Sequence, residues 1–159
     1  MKQLMTKLMV LASLLVLVNA CEKIEPTALT DENIAGKAVL CGYVSYNYNY
    51  STTNFANGVD VAIDVDLSSI NSESSGNKRY VTTTNSQGYY IIELPTKPGE
   101  SVTCKASVCF QADCEKGSDV VKGLFSTSSS TSVTDGQKQM TNLKCGSAKG
   151  YPNSPADNK

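Results

Sequence analysis

The chain has no histidine and no tryptophan among its 159 residues, and aromatic side chains make up only 7% of it. The missing histidine removes the commonest general base, the usual partner of a serine or cysteine nucleophile, and the commonest metal ligand. The remaining side chains form no recognisable set of acid, base and nucleophile, so the chain reads as a non-enzyme with no cofactor and no metal. A basic surplus is also missing, with 14 Lys and Arg against 15 Asp and Glu. That balance argues against a nucleic-acid partner, whose phosphates call for a concentrated basic surface. Beyond residue 20 there is no long apolar run, so no later bilayer-spanning helix is expected.

What is present begins with a leader. Lys2 and Lys7 flank the start of an apolar run from Leu8 to Val18, and Val18-Asn19-Ala20 leads into Cys21. As a helix that run covers roughly 17 Å, well short of the ~30 Å hydrocarbon core, so residues 1–20 read as a secretory signal peptide. The Ala20-Cys21 junction resembles the lipobox of bacterial lipoproteins, with Asn19 and Val18 departing from the commonest residues. The resemblance implies that Cys21 is acylated, palmitate included, and anchors the protein to the outer membrane of a Gram-negative cell, on the periplasmic or outer surface. Ordinary cleavage, leaving Cys21 as a free or paired thiol, is the alternative. Loss of the leader leaves 12 basic against 15 acidic side chains, net −3. Residues 21–36 are acidic, contain one proline and keep no period, which predicts a flexible tether of up to roughly 50 Å.

The remainder alternates as strands do. Val59, Val61, Ile63, Val65 and Leu67 interleave with Asp60, Ala62, Asp64 and Asp66, one buried and one wet face. Val81 to Thr84 is β-branched, Tyr89 to Leu94 is mostly aromatic or β-branched, and Asn85 to Gly88 lies between them. This predicts a hairpin with Gly88 at positive φ and Tyr90, Ile92 and Leu94 facing the core. Further strands are expected at Lys37–Tyr46, Ser101–Gln111, Val120–Ser126 and Gln137–Cys145. A turn is expected at Asp113–Ser118, a loop over the Ser/Thr run Ser126–Ser132, and a disordered tail over 146–159. About seven short strands and no helix within residues 37–145 suit a single all-β sandwich.

Four segments carry a family resemblance, the last being Asn142-Leu143, which looks like the end of the final strand. Leu40-Cys41-Gly42-Tyr43-Val44, Gly58 to Ile63, and above all Thr84-Asn85-Ser86-Gln87-Gly88-Tyr89-Tyr90 resemble the carboxypeptidase regulatory-like domains, which are transthyretin-like (Ig-like) β-sandwiches. Asn85 stands where that family commonly has Asp. The resemblance covers about Lys37 to Cys145. It implies a non-catalytic module that works beside a protein or glycan partner at the cell envelope, with the first and last strands close together. A fimbrial or adhesin-type structural subunit is the alternative, and a His-independent hydrolase the third reading.

Several groups of residues are candidates for a role. Tyr43, Tyr46, Tyr48 and Tyr50 fall within eight residues among asparagines, a composition suited to recognition because tyrosine gives a large amphipathic contact at low entropic cost. The bland alternative is a strand whose rings cover one end of the sandwich. Asp60, Asp64 and Asp66 read as a solvated acidic stripe. Of the five cysteines after Cys21, Cys109 and Cys114 are expected to meet across a loop. Cys41 and Cys145 are expected to bridge the first and last strands that the family brings together, and Cys104 is expected in the core as a buried thiol. Lys37, Glu93 and Asn142 have the residue types of an intramolecular isopeptide, with Glu93 placed outward by parity.

Overall fold

The structure is a computed structural model that describes residues 36–152. The signal peptide, Cys21 and nearly all of the expected tether lie outside the described residues. Two antiparallel-based sheets enclose one core, and no α-helix occurs among the described residues. The strands are β1 (Gly36–Asn47), β2 (Thr53–Phe55), β3 (Asp60–Asp66), β4 (Asn77–Thr83), β5 (Tyr89–Thr96), β6 (Ser101–Lys116), β7 (Asp119–Thr134), β8 (Lys138–Met140) and β9 (Leu143–Lys144). The first sheet is centred on β1, with β5 then β2 along one side and β8 then β9 along the other; the second runs β4-β3-β6-β7.

Alternation explains the core. Val61, Ile63 and Val65 of β3 and Val102, Cys104 and Ala106 of β6 are buried from one sheet, and Leu40, Val44, Tyr90 and Leu94 meet them from the other. The acidic face of β3 is partnered by its neighbours. Asp64 holds Arg79 through two hydrogen bonds of 2.7 and 2.9 Å, Asp60 accepts from the Thr83 hydroxyl, and Asp66 caps the short 3₁₀ turn Leu67–Ser69.

Four expectations give way to the tertiary structure. Gly88 does sit at φ +70, yet β4 and β5 do not pair with each other. Thr84 bonds Val59 through its backbone N–H and its hydroxyl, holding the first arm beside β3, while the Gly88 carbonyl accepts from Val44 N–H and starts the second arm beside β1. The segment is a corner between sheets, because a turn fixes reversal and not partners.

The second change is at Ser126–Ser132, expected as a loop. It lies inside β7, paired residue for residue with β6, since a serine run beside an intact partner strand can complete its ladder. The chain turns only at Gly117-Ser118, with Gly117 at φ +68.

The third concerns the cysteines, all five of which are free among the described residues. Cys109 and Cys114 occupy one continuous strand five residues apart, so they point to opposite faces and lie about 17 Å apart, against the roughly 4.4–6.8 Å of a disulfide. Cys41 pairs with Met140, and Val44 and Ser45 pair with Leu143 and Lys144 in the same parallel register. The first and last strands are therefore adjacent, but Cys145 falls opposite Tyr46 and is displaced along the ladder from Cys41 by about 17 Å. The same register places Asn142 opposite Tyr43, far from Lys37, whose ammonium pairs with exposed Glu93 at 2.7 Å. No isopeptide geometry results.

Fourth, Gly146 to Pro152, expected in a disordered tail, packs on the sandwich. Leu124 N–H donates to the Gly150 carbonyl and Lys149 N–H to the Leu124 carbonyl, both at 2.8 Å, and Ala148 and Tyr151 lie against the core.

Candidate functional site

The four clustered tyrosines are divided among three places. Tyr46 turns inward and packs against Phe110 and Phe125, with ring centroids 5.7 and 4.7 Å away. Tyr43 faces outward on the first sheet, beside Phe55 and Tyr89 at 5.8 and 5.2 Å. Tyr48 and Tyr50 leave the end of β1 in a tight turn and border a hollow at one end of the sandwich.

That hollow has a volume of about 180 Å³ and is walled by three separate segments: Asn47 to Tyr50, the hairpin tip at Cys114 to Gly117, and the tail residues Ser147, Ala148 and Tyr151. Each wall is tied down. Asn49 accepts from Ser51 and Thr52 N–H, closing the tyrosine turn on itself, and its amide donates to Glu115 at 2.9 Å. Glu115 N–H donates to the Tyr48 carbonyl at 2.7 Å, and Asn47 N–H to the Gly146 carbonyl at 2.8 Å. The Lys116 ammonium lies 4.4 Å from the centre of the Tyr151 ring. Tyr50 is fully solvent-exposed. The result is a small depression rimmed by phenol rings, amides, a carboxylate and an ammonium. It is smaller than the roughly 300–1,000 Å³ pockets that enclose a drug-sized ligand, so it suits one ring or chain end of a polar ligand.

A second exposed surface lies on the outer face of the first sheet. Tyr43, Phe55 and Tyr89 form a row with Ile91 and Met140 beside it, and Phe55 and Met140 are each 56% exposed. Lys138 reaches over the Tyr89 ring at 5.8 Å. Beneath the face Cys41 is buried, its thiol 3.6 Å from the Gln139 carbonyl. Burial pushes the Cys104 and Cys145 thiols up to about 11, which keeps them protonated.

Sequence reasoning found Tyr48 and Tyr50 but not their neighbours. Glu115 and Lys116 carried no signal in an expected turn, and Tyr151 lay in a segment without apolar period. The Gly-Tyr-Pro at residues 150–152 was the one visible cue, because an aromatic in a polar tail needs somewhere to pack.

No protein-family model matches the chain, and no curated protein matches it in sequence. Among solved structures the chain is similar to a crystal structure from Pseudomonas aeruginosa, named a "putative carbohydrate binding protein", with a TM-score of 0.52 and 11% identity over 70% of this chain and 90% of that one. At that identity the likeness concerns the fold. Two such chains share a sandwich, and their binding residues are set separately.

Proposed function

We propose that this chain is a non-catalytic, lipid-anchored binding module of the carboxypeptidase regulatory-like kind, working at a Gram-negative outer membrane, and that the hollow at the end of the sandwich takes a carbohydrate. The observation that carries this reading is the convergence of Tyr48, Tyr50 and Tyr151 with Asn47, Asn49 and Glu115 around one depression. Phenol rings offer apolar faces to a sugar's C–H surface, and amides and carboxylates answer its hydroxyls. The name of the structural relative points the same way, and the lipobox-like Cys21 supports the envelope setting.

The test is binding of the mature protein to an array of immobilised glycans, followed by titration with the best hit. Tyr50→Ala and Tyr151→Ala are expected to weaken binding about tenfold each, or ~1.4 kcal/mol, with the fold intact by circular dichroism. Retained affinity in both variants would remove the hollow from consideration.

The second reading is a protein partner on the row of Tyr43, Phe55 and Tyr89, favoured by the exposure of Phe55 and Met140. Phe55→Ser separates the two, since it leaves the hollow untouched. A fimbrial subunit would need a vacant position for a donor strand. The last strand, which would have to be the one exchanged, lies beside β1 of its own chain as β8 and β9.

A further inference from the structure

The two edges of the second sheet are built differently. β4, at one edge, carries Lys78 and Arg79, the charges with which natural edge strands discourage pairing. β7, at the other, has no charged residue and no proline from Phe125 to Thr134 and pairs with β6 without a bulge. Backbone groups alternate in direction along a strand. Both the N–H and the carbonyl of Leu124 point away from β6, to Gly150 and Lys149, so those of Ser126, Ser128, Ser130 and Ser132 point the same way.

Among the described residues this edge has an open stretch with definite ends. Leu124 is closed by the tail, and the Thr134 carbonyl is closed by Gln137 N–H at 3.0 Å. Each lies five residues from Ser129. Within that window the sequence Ser126-Thr127-Ser128-Ser129-Ser130-Thr131-Ser132 reads the same in both directions. A two-fold axis through Ser129 would therefore set Ser128 opposite Ser130 and Ser126 opposite Ser132, all with edge-facing backbone groups. It would also pair Thr127 with Thr131, and Thr–Thr pairs are favourable across strands.

We propose that the free edge of β7 is a homodimer interface, in which two copies pair antiparallel about Ser129 and join their four-stranded sheets into one of eight strands. The contact is isologous, so it closes at two copies. It supplies about eight backbone hydrogen bonds between residues 126 and 132, and beyond them the two strands must splay, because the tail of each copy already holds the place opposite Leu124 that Thr134 of the other would take. This proposal is independent of the carbohydrate reading, because β7 pairs through its edge and the hollow lies beyond Leu124, at the hairpin tip.

The test is sedimentation of the exported full-length chain carrying Cys21→Ser, which removes the lipid, together with two kinds of variant. Ser128→Pro removes an edge-facing N–H that β6 does not use, so it is expected to give a folded monomer with the parent's circular dichroism spectrum and a melting temperature that no longer depends on protein concentration. In a Cys109→Ser background, Ser129→Cys places two thiols at a non-hydrogen-bonded pair with Cα atoms about 4.5 Å apart and is expected to form a disulfide dimer. Ser126→Cys, about 20 Å from its own copy, is expected not to. The interface is overturned by a monomeric parent chain, by a Ser128→Pro protein that stays dimeric, by equal crosslinking at residues 126 and 129, or by an open-ended ladder of oligomers. A monomer in which the tether covers β7, seen as slow amide exchange at Ser128 and Ser130, would equally overturn it.

Discussion

The Tyr90 hydroxyl donates a 2.6 Å hydrogen bond to the Thr141 carbonyl in the buried interior. It does so where the last strand steps out of the β1 ladder between β8 and β9, and Asn142 replaces the missing backbone acceptor by taking Tyr43 N–H on its side chain at 3.0 Å. Gly42 makes the approach possible, because a Cβ there would collide with that same Thr141 carbonyl.

Tyr90→Phe keeps the ring and deletes the donor, leaving a buried carbonyl short of a partner. The expected loss is about 1–3 kcal/mol of unfolding free energy, measured by urea denaturation. Gly42→Ala is expected to cost more than Tyr90→Phe, since the obstacle is backbone. Equal or higher stability of either variant would show that the last strand is not pinned at Thr141.

Gly88→Val tests the corner between the sheets. It combines a β-branched residue at φ +70 with a Cβ 2.8 Å from both Phe55 Cβ and the Val44 carbonyl. Strain of this kind costs of order 1–3 kcal/mol before any steric term, so a clear fall in melting temperature is expected. An unchanged melting curve would place Gly88 at ordinary φ.

Alkaline pH is expected to destabilise the fold in steps. Burial raises the thiols of Cys104 and Cys145 from 9.0 to about 11 and pushes the Tyr90 phenol above its usual 10.0. The unfolded chain thus releases these protons first and binds fewer than the folded chain, so stability falls as pH rises above about 9 for the thiols and about 10 for the phenol. Melting temperatures across pH 7 to about 11 check this. Cys145→Ala is expected to flatten the first part of the decline, and a curve unchanged by it would separate that decline from the thiol.

Cysteine labelling distinguishes free thiols from bridges. Cys109 is exposed and Cys41, Cys104, Cys114 and Cys145 are buried, so iodoacetamide on the native, unreduced protein is expected to modify Cys109 first. After denaturation without reductant all five are expected to react. Any pair that stays protected until reductant is added would mark a disulfide and a different register around it.

Local pattern made the all-β sandwich legible in the sequence. The period of two in Val61, Ile63 and Val65 and in Tyr90 and Leu94 assigned the inner face, and the Asn85 to Gly88 turn located its positive-φ glycine. These readings held because side-chain alternation and backbone φ are properties of a few consecutive residues. The Tyr48 and Tyr50 half of the hollow was visible for a similar reason, since clustered tyrosines stand out wherever they fall.

What only the tertiary structure decided was partnership. Whether β4 pairs β5 or β3, whether Cys109 faces Cys114 or lies in one strand with it, and whether Tyr151 floats or walls a hollow are all set by contacts between residues distant in the chain. A serine run such as Ser126–Ser132 shows the limit plainly. With no apolar side chain to declare a face, its own residues favour a loop, and it becomes a strand because β6 presents a complete row of backbone donors and acceptors, which β7 must satisfy on that side.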